Sequence, residues 1–133
     1  MRYLLDTTWA VNYLKGRDAT VKKLLSLKSE GLAISIVTLA ELYEGVYRSA
    51  NPALAEGHLK DFLSGLSILG VNEEICRIFG RERAKLRQKG TPIGDIDLLI
   101  ASTSLHHDLV LLTDNVKHFK QVEGLKILKD AGV

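Results

Sequence analysis

The feature that most limits the fold is Leu109-Val110-Leu111-Leu112, four consecutive apolar residues with no charge and no turn former. A strand wetted on one face alternates apolar and polar residues, so an unbroken apolar run calls for a sheet covered on both faces. Short apolar runs recur at Tyr3-Leu4-Leu5, Leu32-Ala33-Ile34-Ser35-Ile36, Leu66-Ser67-Ile68-Leu69 and, more weakly, Leu125-Lys126-Ile127-Leu128. Longer stretches with helical spacing lie between them. Trp9, Val11, Tyr13 and Leu14 give a short helix before Gly16, and Val21, Leu24, Leu25 and Leu27 a second one stopped by Gly31. Thr38 opens a helix to about Arg48, and Pro52 sits where the first turn of the next one starts. Asn72 to Lys89 reads as a long helix closed by Gly90 and Pro92, and Asp95 or Asp97 begins a last one through His106. Strands alternating with helices predict one α/β domain over residues 1–133, a three-layer α/β/α sandwich around a mostly parallel sheet.

Composition excludes several classes. At 46% hydrophobic and 26% charged, the chain is globular rather than disordered. Its net charge of +2 is too small to argue for nucleic-acid binding, so local clustering must carry any such case. The one cysteine, Cys76, allows no internal disulfide and reads as a packed helical thiol, which fits a reducing cytoplasm. Asp6 interrupts the first apolar run, so a signal peptide is not expected, and the uncharged stretch from Gly31 to Ala40 is too short to span a bilayer.

In parallel α/β folds the functional crevice lies outside the carboxyl ends of the strands. Acidic residues map there. Asp6 follows the first strand directly, and Asp114 follows the fully apolar strand after Thr113. Glu41 lies one turn into the helix after the second strand, while Asp95 and Asp97 open a helix. Each also has a structural reading. Asp6 fits the N-cap of the helix after it, and Thr38-Leu39-Ala40-Glu41 has the capping-box pattern. Asp95 fits a cap for its helix and Asp114 a turn. Carboxylates gathered at one rim repel, and a hard divalent cation such as Mg²⁺ or Mn²⁺ relieves that repulsion. Mg²⁺ held by carboxylates serves phosphate chemistry, and no Cys/His spacing suggests zinc.

Four segments together resemble the PIN-domain nucleases, and among them the VapC-type toxins. They are Tyr3-Leu4-Leu5-Asp6-Thr7-Thr8, the segment Ile36 to Gly45 with its acid at Glu41, the segment Pro92 to Ala101 with its acid at Asp97, and Leu111 to Phe119. The resemblance implies a metal-dependent endoribonuclease with Asp6, Glu41 and Asp97 as catalytic and metal-binding residues. It implies Thr113 and Asn115 as auxiliary groups that position water or phosphate. It also implies an RNA substrate, a cognate antitoxin that fills a groove on the helices, and a homodimer. The chain departs from the family pattern in carrying Asp95 as an extra acid. The family's variable Asp/Asn position falls on Asn115, with Asp114 beside it.

An RNA nuclease needs a basic surface. Arg77, Arg81, Lys85 and Lys89 recur every four residues and form one stripe, with Arg83 and Arg87 beside it. The stripe reads either as a solvated helix face or as a phosphate track. Among the histidines, His106 and His107 complement a helix dipole, whereas His58 and His118 stand isolated. Three rival functions are a receiver-like phosphoryl-transfer domain, a binding domain on the same fold, and a housekeeping nuclease without an antitoxin. A receiver needs paired acids at its first strand and an acid at its third. Asp6 stands alone, and Ile68-Leu69-Gly70 supplies none.

Overall fold

The computed structural model describes residues 1–129. Five strands, β1 (Tyr3–Leu5), β2 (Leu32–Ser35), β3 (Ser67–Leu69), β4 (Val110–Leu112) and β5 (Lys126–Leu128), form one sheet in the order β3-β2-β1-β4-β5. Every neighbouring pair is parallel, with Leu4 opposite Ala33 on one side and Leu111 on the other.

Period-two alternation sorts the strand residues between two cores. Tyr3, Leu5, Leu32, Ile34 and Leu112 face one layer, made by α1 (Thr7–Leu14), α2 (Asp18–Leu27), α3 (Ile36–Arg48) and α4 (Pro52–Leu63). Leu4, Ala33 and Leu111 face the other, made by α5 (Glu73–Lys89), α6 (Asp95–His107) and α7 (Val116–Phe119). The expected sandwich is therefore present, and the apolar run of β4 is covered on both faces. Wholly parallel pairing follows from it, since every strand-to-strand connection passes through helices.

Local chemistry sets the boundaries. A turn of 3-10 helix at Lys28–Glu30 leads into Gly31, whose φ of 92° few other residues adopt. A Cβ there would stand 2.6 Å from Met1 Cα, because the Gly31 carbonyl accepts from the amides of Arg2 and Tyr3. Asn72 caps α5 by accepting from the amide of Ile75, and Gly90 ends the helix in the left-handed region.

The start of α3 differs from the sequence expectation. Strand β2 stops at Ser35, and α3 begins at Ile36 rather than at Thr38. The Ser35 hydroxyl accepts from the amide of Val37 at 3.1 Å, so serine takes the cap position. The capping box at Thr38 and Glu41 does not form, and both side chains are left for other partners.

Candidate active site

The strand order reverses between β1 and β4, which marks the switch point where such sheets bind ligands. Asp6 lies at this point. Its amide donates to the carbonyl of Leu112, which fastens the exit of β1 to the end of β4. Asp6 does occupy the N-cap position of α1, but its carboxylate makes no capping bond. That carboxylate, 5% exposed, accepts from the hydroxyl of Thr113 at 2.7 Å instead.

Burial pushes the Asp6 carboxyl above its ordinary range, and the charges of Asp97 and Glu41 add to the rise. The hydrogen bonds from Thr113 and from the amide of Thr7 act in the opposite direction without cancelling it. Asp97, half-buried in the first turn of α6, is also raised, by burial first and then by the charge of Glu41. The imidazole of His118 opposes that rise. The charges of Asp97 and Glu41 thus bear on Asp6, and that of Glu41 on Asp97, which groups the three acids electrostatically. They come from three separate elements, as the sequence predicts.

Glu41 is exposed on α3 and accepts from the Thr7 hydroxyl at 2.7 Å. Among the described residues, no three carboxylate, imidazole or thiol side chains stand close enough to hold an ion. The donor set still suits a hard cation. The cluster offers only oxygens, two of its acids are raised by burial and repulsion, and among the described residues no lysine or arginine pairs with any of the three. Mg²⁺ is commonly held by one or two carboxylates together with substrate phosphate, so Asp6 and Asp97 are the residues that could hold it.

The remaining predicted residues separate. Asp95 heads α6 without capping it and pairs with Arg83 at 3.3 Å. Thr113 is fully buried, and its hydroxyl also accepts from the amide of Asn115, closing a tight turn. Asp114 is exposed in that turn. Asn115 lies 3.1 Å from Nδ1 of His118 through its amide nitrogen. His118 reads as isolated in sequence, yet α7 returns it to the cluster. The available signal was its position three residues after Asn115, one turn along a helix.

The basic stripe of α5 is largely paired within its own helix. Arg77 meets Glu73 and Glu74, and Arg81 and Lys85 both reach the buried carboxylate of Glu82. Beside Glu41, between α1, α3 and α4, runs a groove of about 350 Å³. Its floor includes Val11, Leu14, Leu42, Val46 and Leu59, and Lys15, Arg48 and His58 line it as well. Among the described residues, no helix is long and apolar enough to cross a membrane.

The sequence profile of the PIN domain matches residues 3–125. The chain belongs to the PIN-domain family. It is 38% identical over 129 residues to a Rickettsia felis protein named ribonuclease VapC2, across 94% of this chain and 95% of that one. It is 29% identical over 127 residues to a Salmonella typhimurium protein named tRNA(fMet)-specific endonuclease VapC, across 96% of each. The fold matches a chain of the VapBC2 complex of Rickettsia felis bound to promoter DNA, with a TM-score of 0.91 and 35% identity. That match covers 97% of this chain and 98% of the other.

Proposed function

We propose that this PIN-domain protein is a ribonuclease toxin that hydrolyses RNA phosphodiester bonds and is held in check by a cognate antitoxin. The observation that carries the reading is the coupled cluster of Asp6, Glu41 and Asp97 at the switch point. It sits in a chain similar to VapC ribonucleases over nearly its whole length.

Asp6 and Asp97 would hold Mg²⁺ or Mn²⁺, which supplies positive charge against the phosphate and acidifies water. The hydrogen bond from Thr113 favours the charged form of Asp6 against the effect of burial. Glu41 orients the attacking water. The water oxygen bonds to phosphorus and gives up a proton, one ester P–O bond breaks, and the departing alcohol oxygen takes up a proton in turn. Thr113 and Asn115 support phosphate and water beside the cluster. Asp95 and Asp114 lie outside this set of roles. Arg77, Arg81, Lys85 and Lys89 provide the phosphate track, the paired ones by exchanging glutamate for RNA.

The groove between α1, α3 and α4 suits an apolar helix face of the antitoxin, since its floor is aliphatic and it runs beside Glu41. A homodimer would cover exposed apolar side chains such as Ile36, Tyr47 and Leu54. The protein would act in the cytoplasm, where its RNA is found.

The test is cleavage of a mixed RNA and tRNA pool by wild type and Asp6→Asn, purified in parallel, with and without Mg²⁺ or Mn²⁺. Cation-dependent cutting that the variant lacks supports the reading. Equal cutting by both proteins sinks it, because a contaminating nuclease then accounts for the activity.

A further inference from the structure

Thr7 stands between two partners. Its hydroxyl lies 2.9 Å from the hydroxyl of Thr38 and 2.7 Å from Oε1 of Glu41. A threonine hydroxyl carries one proton, and an ionised carboxylate can only accept. Thr7 therefore spends its proton on Glu41. The proton in the other bond must come from Thr38, so counting fixes the direction of both bonds: Thr38 donates to Thr7, and Thr7 donates to Glu41.

The relay starts in a rigid place. Thr38 is fully buried in the first turn of α3, and Thr7 opens α1 directly after Asp6. The two hydroxyls tie α1 to α3 at the mouth of the site. They also explain why Glu41, exposed and on a long side chain, takes a defined position. That bond takes one acceptor site on Oε1 and fixes the carboxylate's orientation, with Oε2 unengaged in the bond to Thr7.

We infer that Thr7 and Thr38 are positioning residues that hold Glu41 by Oε1 and leave Oε2 to orient the attacking water. The catalytic half of this inference rests on the nuclease reading above, and the hydroxyl relay itself does not.

The experiment compares Thr7→Val and Thr38→Val with Thr7→Ser and Thr38→Ser in the full chain. Valine matches threonine in shape and lacks the hydroxyl, whereas serine keeps it. The first readout is NMR of the free protein. The Thr38 hydroxyl proton, buried and bonded, exchanges slowly in wild type and in Thr7→Ser. In Thr7→Val it loses its acceptor and exchanges faster.

The second readout is RNA cleavage beside Mn²⁺ binding by calorimetry. Thr7→Val lowers kcat roughly 10- to 100-fold. The KM for RNA and the Kd for Mn²⁺ stay within about threefold, because the loss falls on orientation rather than on binding. Thr38→Val shows a smaller loss in kcat, and both serine variants recover it. A Thr38 proton unchanged in Thr7→Val overturns the relay. So do serine variants as impaired as the valines, which would make methyl packing the cause. A Kd for Mn²⁺ that weakens in step with kcat overturns the assigned role, since the relay would then be building the ion site. Wild type that cuts no RNA under any condition defeats the nuclease reading instead, and the NMR comparison still decides the relay.

Discussion

Thr113, just past β4, donates a 2.7 Å hydrogen bond to Asp6, just past β1, across 107 residues of sequence. The same hydroxyl accepts from the amide of Asn115 at 3.0 Å. One buried side chain thus favours the charge on an acid and shapes the turn that carries the next polar group. Thr113→Val removes both bonds while keeping the volume. A hydrogen bond to a charged group contributes about 1.5–3 kcal/mol, so ionising Asp6 becomes harder by that order. The acid limb of the cleavage rate is expected to move to higher pH in Thr113→Val and to stay in place in Thr113→Ser. A pH–rate profile of the three proteins checks this, and superimposable profiles would count against it.

Asp6 and Asp97 are both held above the ordinary aspartate range, by burial first and by neighbouring negative charge after it. The folded state therefore keeps protons that the unfolded chain has already lost. With raised folded values, the penalty is absent below about pH 4 and grows as pH rises through the folded range. In chelator, the melting temperature should fall over that interval through these two groups. Asp6→Asn should then melt at or above wild type at neutral pH. Added Mg²⁺ or Mn²⁺ should raise wild type more than the variant, because the ion favours the folded, ionised pair. Thermal melts with and without ion decide the matter. A variant that melts clearly below wild type in chelator contradicts the charge argument.

Asp95 and Asp97 sit two residues apart at the head of α6, yet their surroundings differ. Asp95 is exposed and paired with Arg83, whereas Asp97 is half-buried and coupled to Glu41. Asp95→Asn should leave the cleavage rate within about threefold of wild type, since exposed ion pairs are worth about a kilocalorie or less. Asp97→Asn should lower the rate roughly 100-fold or more, because it removes charge at the reacting centre. Parallel initial rates on one RNA substrate test both, and equal losses would move Asp95 into the site.

How much of this was legible depended on the range of the interaction concerned. The covered sheet follows from the apolar run at Leu109 to Leu112, because burial on both faces leaves no room for polar residues. Asp6, Glu41 and Asp97 could be read as a rim because strand ends are local features. The start of α3 could not, since Ser35 and Thr38 are both good caps and tertiary contact decides between them. Thr38 is drawn to Thr7, which leaves the cap to Ser35. His118 escaped because its relation to Asp97 depends on the short α7, whose four residues carry little periodicity. The pairing of Arg77 was hidden by reading the stripe without the acids at the head of its helix, Glu73 and Glu74.

Glu82 provides the sharpest test of the α5 stripe. Its carboxylate is buried at 4% exposure and draws in Arg81 at 3.3 Å and Lys85 at 3.4 Å. Removing one partner of a buried ion pair is costly when it strands the other as a buried charge, but the Arg81 and Lys85 side chains are 61% and 43% exposed, so losing Glu82 strands neither. Glu82→Met is therefore expected to melt no lower than wild type, with its side chain joining Ile75 and Leu86 on the buried face. It also releases two cations that the glutamate had neutralised. If the stripe is a phosphate track, RNA binding tightens at low salt. The logarithmic salt dependence should steepen by about 0.7 for each phosphate newly met. Binding measured across a salt series on a catalytically silent Asp97→Asn background separates affinity from cleavage. A slope that does not change while the protein remains folded takes Arg81 and Lys85 off the RNA path and assigns them to the helix alone.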